Sequence, residues 1–352
     1  MEQIESLKAK TPNNKKLPFY VFSGSNEQIG IETGKQLKGR ILDTLDFYKT
    51  VFNRSQEDIF HYAKMFRTSI KSFNADYAIE IESMAETINL DPLWLYALNA
   101  RSEIMNKFVN ECTASFFPGN KLLGQNWDWA KELEELTVIE RLNQEGKPDI
   151  LQIAEPGIIG KIGFNSAGLG VTLNFLHIDG YDPIGVPTHI LLRGILDCST
   201  IEEARELVTK HPVGRTSNII VADKDGKFFD VEFAGDEQFI FDNTTGPYVH
   251  TNHYLGKNIN PRNEEHASSY ARFERATQIV SQNKNHDLSD FKCLLTDKEN
   301  KSLPICRRYE IPKKPMLKNT GTICSIIMDL PKKEMHITRG NPYEHEFEKI
   351  TL

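Results

Sequence analysis

The feature that most restricts how this chain can fold is a change of texture at Cys112. Before it, from Asn26 to about Glu111, apolar residues recur three and four apart on polar backgrounds, the period of amphipathic helices. Glu27 to Lys38, Ile41 to Val51, Asp58 to Asn74 and Asp76 to Ile88 all read this way. Asp91-Pro92 opens a further helix, with Asp as N-cap and Pro at the first helical position, and LWLYALNARSEIM carries it to about Met105. After Cys112 the apolar runs shorten to strand length: CTASFF, LLGQNWDW, LTVIER, ILQIAE, IIGKIGFN and GLGVTLNFL, parted by Gly, Pro or Asn. Helices interrupt near Pro187–Leu196 and at Ile201–Lys210. NIIVADKDGKFFDVEFAG then reads as a hairpin about Asp225-Gly226. QFIFDN and YVHTNHY follow, a polar helical region spans Asn263 to about Thr296, and GTICSIIMDL and EMHITRG close the chain as strands. Residues 1–17 read as a polar arm. The pattern predicts an α+β fold in which layers of helix cover sheets.

Composition removes several functions. Lys plus Arg is 42 against Asp plus Glu 49, a formal charge of −7, which argues against a protein built to neutralise nucleic-acid phosphates. No apolar run approaches the roughly 18 residues needed to span a bilayer, and the charged, Asn-rich N-terminus lacks the apolar region of a secretory signal. The five cysteines are widely spaced and never form CxxC, the usage of a reduced, cytoplasmic protein. GxGxxG, GxxxxGK[ST], HExxH and GxSxG are all missing. No cofactor and no metal are expected.

Cys112 stands out because it sits in Asn-Glu-Cys-Thr-Ala-Ser at the boundary, with GQNWDW twelve residues on. Alone, a free cysteine is most often a small core residue. In this chain it is followed, in order, by EPGIIGKIGFNSAGLGVTLN, GVPTHILLR and VHTNHY. Together these segments resemble the acyl-coenzyme A:isopenicillin-N (6-aminopenicillanic acid) acyltransferase family of cysteine N-terminal-nucleophile hydrolases, and more distantly the bile-salt and penicillin V amidases. The resemblance runs from about Ala100 to Gly340.

It implies a four-layer αββα fold with the N-terminal helices packed on it, made as a precursor that cuts its own Glu111–Cys112 bond. Residues 1–111 would become a small subunit and 112–352 a large one, held together by a shared core. The freed Cys112 carries a thiol and an α-amine, with reference pKa values of about 8.5 and about 7.7–8.0, so nucleophile and base lie on one residue. By motif position Asp128 orients the new amino terminus, Asn252 donates its side-chain NH₂ to the oxyanion hole, and Asn165 lines the site. Gln125 stands where the bile-salt amidases carry an arginine and is a candidate substrate contact. Arg307 is a candidate to bind a carboxylate or support Asp128, with a solvated surface arginine as the alternative. The segment before TICSIIMD holds Asn319-Thr320-Gly321 where some members have arginine, and the residue before Cys112 is Glu111 where the best-known member has glycine.

The function implied is hydrolysis of a linear amide, or acyl transfer, through a Cys112 thioester, on a small-molecule substrate with acyl-coenzyme A as one candidate donor. Two other readings stay open: a papain-like thiol hydrolase with His250 or His253 as base, and a non-catalytic binding protein of the same fold.

Overall fold

The computed structural model describes residues 16–105, 112–178, 185–211, 216–235, 237–243, 246–257, 259, 263, 266–310 and 319–352. Glu111, and with it the expected cleavage bond, lies outside them, as does most of the polar arm.

The chain opens with a strand, β1 (Phe19–Gly24), then α1 (Asn26–Phe52), α2 (Gln56–Phe73), α3 (Ala75–Thr87), α4 (Pro92–Asn99) and the single turn α5 (Arg101–Ile104). The two helices expected between Glu27 and Val51 are one, started by a Ser25–Gln28 capping box. Its glycines do not break it, because Gly30 and Gly34 form the stripe that lies on α3. A Cβ on Gly30 would come within 2.3 Å of the Glu80 carbonyl oxygen. The helix expected over LWLYALNARSEIM divides at Ala100, whose backbone leaves the helical region.

Beyond Cys112 follow β2 (Thr113–Phe117), β3 (Leu122–Ala130), α6 (Glu132–Leu136), β4 (Val138–Gln144), β5 (Ile150–Ala154), β6 (Gly163–Asn165) and β7 (Leu169–Phe175). Then come α7 (Thr188–Leu196), α8 (Ile201–Lys210), β8 (Ser217–Asp223), β9 (Phe228–Ala234), β10 (Glu237–Phe241) and β11 (Tyr248–His250). The chain ends with α9 (Ala267–Gln282), α10 (Leu288–Thr296), β12 (Thr320–Asp329), β13 (Glu334–Ile337) and β14 (Glu348–Thr351). Only the second half of IIGKIGFN and the first half of YVHTNHY are strand; their other halves are loops that reach the centre of the molecule.

Two sheets result, ordered β1-β4-β5-β6-β7-β8-β9-β10 and β11-β2-β3-β12-β13-β14. All pairings are antiparallel except β1 with β4. The sheets face each other through β2 and β3 against β7, with α7 and α8 packed on the larger sheet and α9 and α10 on the smaller. The layers are therefore α, β, β, α, as expected. Strands β2, β3, β5, β6, β7 and β9 are buried along their whole length, since sheet covers one face and helix the other.

The N-terminal segment is not a separate body. β1 completes the edge of the larger sheet, and two buried ion pairs tie its helices to the remainder: Glu80 to Arg193 at 3.0 Å and Arg101 to Glu155 at 2.5 Å.

Candidate active site

Cys112 stands directly before β2 and is 3% exposed. Thr113 pairs with Asn126, so the next step of the same ladder sets Cys112 opposite Trp127. On its other side β3 pairs with β12, and that ladder slips by one residue at Ile323, leaving Trp127 against Cys324 and Asp128 against Thr322. A bulge of this kind re-aims side chains locally. Here it lies beside Asp128, whose backbone N–H favours the ionised Cys112 sulfur. The Asp128 carboxylate accepts the Thr322 hydroxyl proton at 2.7 Å.

Asn252 lies two residues past β11, 7% exposed. Its carboxamide orientation is fixed by its neighbours: Arg272, which can only donate, faces Oδ1 at 2.9 Å, and Nδ2 donates to the Phe175 carbonyl at 2.9 Å. The same guanidinium donates to the Cys112 carbonyl oxygen at 2.5 Å and to the Thr113 hydroxyl at 2.9 Å. Arg272 therefore clamps Cys112 to Asn252 from α9, across 160 residues of chain. Asn174 supports the same loop, donating to the His250 and Thr251 carbonyls at 3.0 and 2.9 Å.

The structure thus brings Cys112, Asp128 and Asn252 together. It does not bring Asn165 to them. Both amide hydrogens of Asn165 go to the Leu196 and Cys198 carbonyls, and its oxygen accepts the Leu169 N–H. With every group spent on backbone, this is turn chemistry that locks β6 to the end of α7. Gln125 is likewise committed: its side chain donates to the Leu173 carbonyl at 3.1 Å and accepts the Leu173 N–H at 2.7 Å. It acts as an extra rung joining the two sheets. Arg307 supports Asp128 through its backbone, because its N–H donates to the Thr322 hydroxyl that in turn donates to Asp128.

His250 cannot act as base toward Cys112. Its Nε2 donates to Glu232 at 2.7 Å and its Nδ1 to the Thr251 carbonyl at 2.7 Å. Both ring nitrogens are thereby engaged, and the ring is charged when it carries both protons. Burial opposes that charge, but Asp230 and Glu232 outweigh it and raise the His250 pKa. His253 stacks on Tyr270 at 3.9 Å and shares Ser269 with Thr251. Both histidines brace the Asn252 loop.

Burial pushes the Cys112 thiol up to about 12, with the Asp128 carboxylate adding to the rise. The Asp128 N–H, Arg272 and Lys161 pull the other way. At neutral pH this is a protonated thiol in a polarised setting. Among the described residues no three His, Cys, Asp or Glu stand together as metal ligands.

Residues 116–344 match the family described as acyl-coenzyme A:6-aminopenicillanic acid acyl-transferase. The chain belongs to that family, whose chemistry is acyl transfer. A curated relative, the acyl-coenzyme A:6-aminopenicillanic-acid-acyltransferase 40 kDa form of Emericella nidulans, is 29% identical over 336 residues, 91% of each chain. Among solved structures, the conjugated bile acid hydrolase of Clostridium perfringens aligns with a TM-score of 0.48 at 17% identity, covering 69% of this chain and 97% of that one. The N-acylethanolamine-hydrolyzing acid amidase ortholog of Caenorhabditis elegans aligns with a TM-score of 0.45 at 15% identity, covering 63% and 93%. No helix among the described residues is long and apolar enough to cross a membrane.

Proposed function

We propose that the chain is a self-processing enzyme that transfers acyl groups, or hydrolyses linear amides, through a thioester on Cys112. In the precursor the thiol sulfur attacks the Glu111 carbonyl carbon. The C–S bond forms, the C–N bond to Cys112 breaks, and the thiol proton ends on the new α-amine. Water then hydrolyses the thioester and leaves Glu111 as a carboxylate.

The freed amine changes the chemistry of the site. A thiol that burial keeps protonated gains a base within its own residue, with a reference pKa of about 7.7–8.0. Asp128, whose backbone N–H favours the negative sulfur, holds that amine as it takes the proton. An incoming acyl carbon is attacked by sulfur, the leaving amine or thiol takes the proton back, and water or an acceptor amine resolves the thioester. Asn252 spends one amide hydrogen on Phe175 and has a second to offer the oxyanion.

The observation that carries this reading is the Arg272 clamp, which joins the backbone of Cys112 to the side chain of Asn252 and leaves both in one buried cluster. Family membership makes 6-aminopenicillanic acid or related amines natural acceptors to test, with acyl-coenzyme A as donor, and N-acyl amino acids and small peptides as amide substrates. All five cysteines carry free thiols, which fits a cytoplasmic setting for a thiol nucleophile.

The test is to trap the intermediate. Rapid acid quench during turnover should leave the acyl mass on the peptide that contains Cys112, and Cys112→Ala should carry none. Turnover that persists in Cys112→Ala would overturn the proposal.

A further inference from the structure

Lys161 stands in the loop between β5 and β6, within the GKIGFN segment, and its side chain is fully buried. A buried ammonium costs several kcal/mol unless it is paired. Its partner is Glu155, but that carboxylate is shared, taking Arg101 at 2.5 Å and the Tyr48 hydroxyl as well. Two cations share that carboxylate, and Glu103 adds a second negative charge on the Arg101 side, so the Lys161 side is the less compensated. His189 does not alter this: burial and the two neighbouring cations keep its ring neutral.

The position of the Lys161 charge is set by the fold. The Lys161 ammonium lies 3.8 Å from the centroid of the Trp127 ring. Trp127 follows Asn126, the partner of Thr113, so one further step of the ladder sets it opposite Cys112, and opposed residues have Cβ atoms about 4.5–5.5 Å apart. Glu155 is held well below the usual carboxylate range, since Arg101 and Lys161 outweigh its burial, so it stays anionic. Burial lowers Lys161 to about 8 against the pull of Glu155. The groups facing the sulfur are then Asp128, which opposes a thiolate, and Arg272 and Lys161, which favour one.

We propose that Lys161 is a positioning cation for the Cys112 sulfur, making its thiolate attainable in the uncut chain before the α-amine exists to serve as base. This rests on Cys112 being the nucleophile, but it is read on the thiol itself and not on turnover. An opposite charge within about 4–6 Å lowers a pKa by about 1–3 units, so removing Lys161 should cut the thiolate fraction about tenfold at a fixed pH below the midpoint.

The experiment measures the alkylation rate of Cys112 by iodoacetamide at several pH values, followed by peptide mass, alongside the self-cleavage rate. Lys161→Met should slow alkylation about tenfold or more, and Lys161→Arg should stay within about threefold of the parent. A purely structural role would slow Lys161→Met and Lys161→Arg alike, and that result overturns the proposal. So does an unchanged rate in Lys161→Met, or no alkylation of Cys112 at any pH. Should the substituted chains not fold, the parent chain answers alone: relative to free cysteine, Cys112 should prefer anionic iodoacetate over iodoacetamide, and a reversed preference contradicts the charge assignment. A chain that alkylates as expected yet never cleaves refutes self-processing while leaving Lys161 in its role.

Discussion

Arg272 joins chain segments that sequence keeps far apart: the Cys112 carbonyl, the Thr113 hydroxyl, the Asn252 carboxamide and Ser268 on its own helix. Nothing in SSYARFER announces this, because two arginines among Ser, Tyr and Glu on a helix read as a solvated face. Asn174 was hidden differently, inside a strand of apolar neighbours. Cys112, Asp128 and Asn252 were legible because each sits in a distinctive motif, whereas Asn165 and Gln125 shared such motifs and proved to hold backbone. Residue type and motif position name a side chain; only its hydrogen-bond partners tell whether its donors are spent. Asn252→Ala should fold, by circular dichroism, and turn over about 10²–10³-fold more slowly, the loss of one oxyanion donor. Unchanged turnover would remove it from the oxyanion site. Cys198→Ala should be cut at the parental rate, since that thiol only caps the Gly194 carbonyl at 3.2 Å; a chain left uncut would point to the wrong cysteine.

Among the elements, most helices and strands after Asn26 follow the apolar period, because most strands are buried on both faces and most helices on one. β1 was not read, since a six-residue run beside a polar arm gains its partner only from β4, more than a hundred residues away. The bulge at Ile323 is equally invisible in sequence, as it depends on which residue of β3 each residue of β12 meets. β4 also carries a testable electrostatic feature. Glu140 is buried there, burial raises its carboxyl to about 7, and the Gln152 amide only partly offsets this. With the folded pKa above the unfolded one, its contribution is present at low pH and is lost as pH rises toward and through about 7. Glu140→Gln should therefore gain up to about 3 kcal/mol on the parent between pH 5 and pH 8, read by thermal unfolding. An identical pH dependence in both chains would mean that Glu140 ionises freely.

At the scale of the whole molecule, the segment before Cys112 and the part after it share one core. Tyr48 and Arg101 reach Glu155, Glu80 reaches Arg193, and β1 lies in the larger sheet. Cutting one bond leaves all of these in place, so the two fragments should co-elute by size exclusion in native buffer and separate only in denaturant. Separation in native buffer would contradict the shared core. Glu80→Ala removes one of the two carboxylates that pair the buried Arg193 guanidinium, Asp197 being the other at 3.1 Å, and should lower the melting temperature of the chain whether or not it is cut.

The central claim is that Cys112 becomes an amino terminus by its own chemistry. Intact-mass spectrometry of purified protein tests it directly, comparing the parent chain with Cys112→Ala after the same incubation. The account predicts two species from the parent, residues 1–111 and 112–352, and one full-length species from Cys112→Ala. A parent that stays whole, or a Cys112→Ala chain that is cut at the same bond, would contradict it.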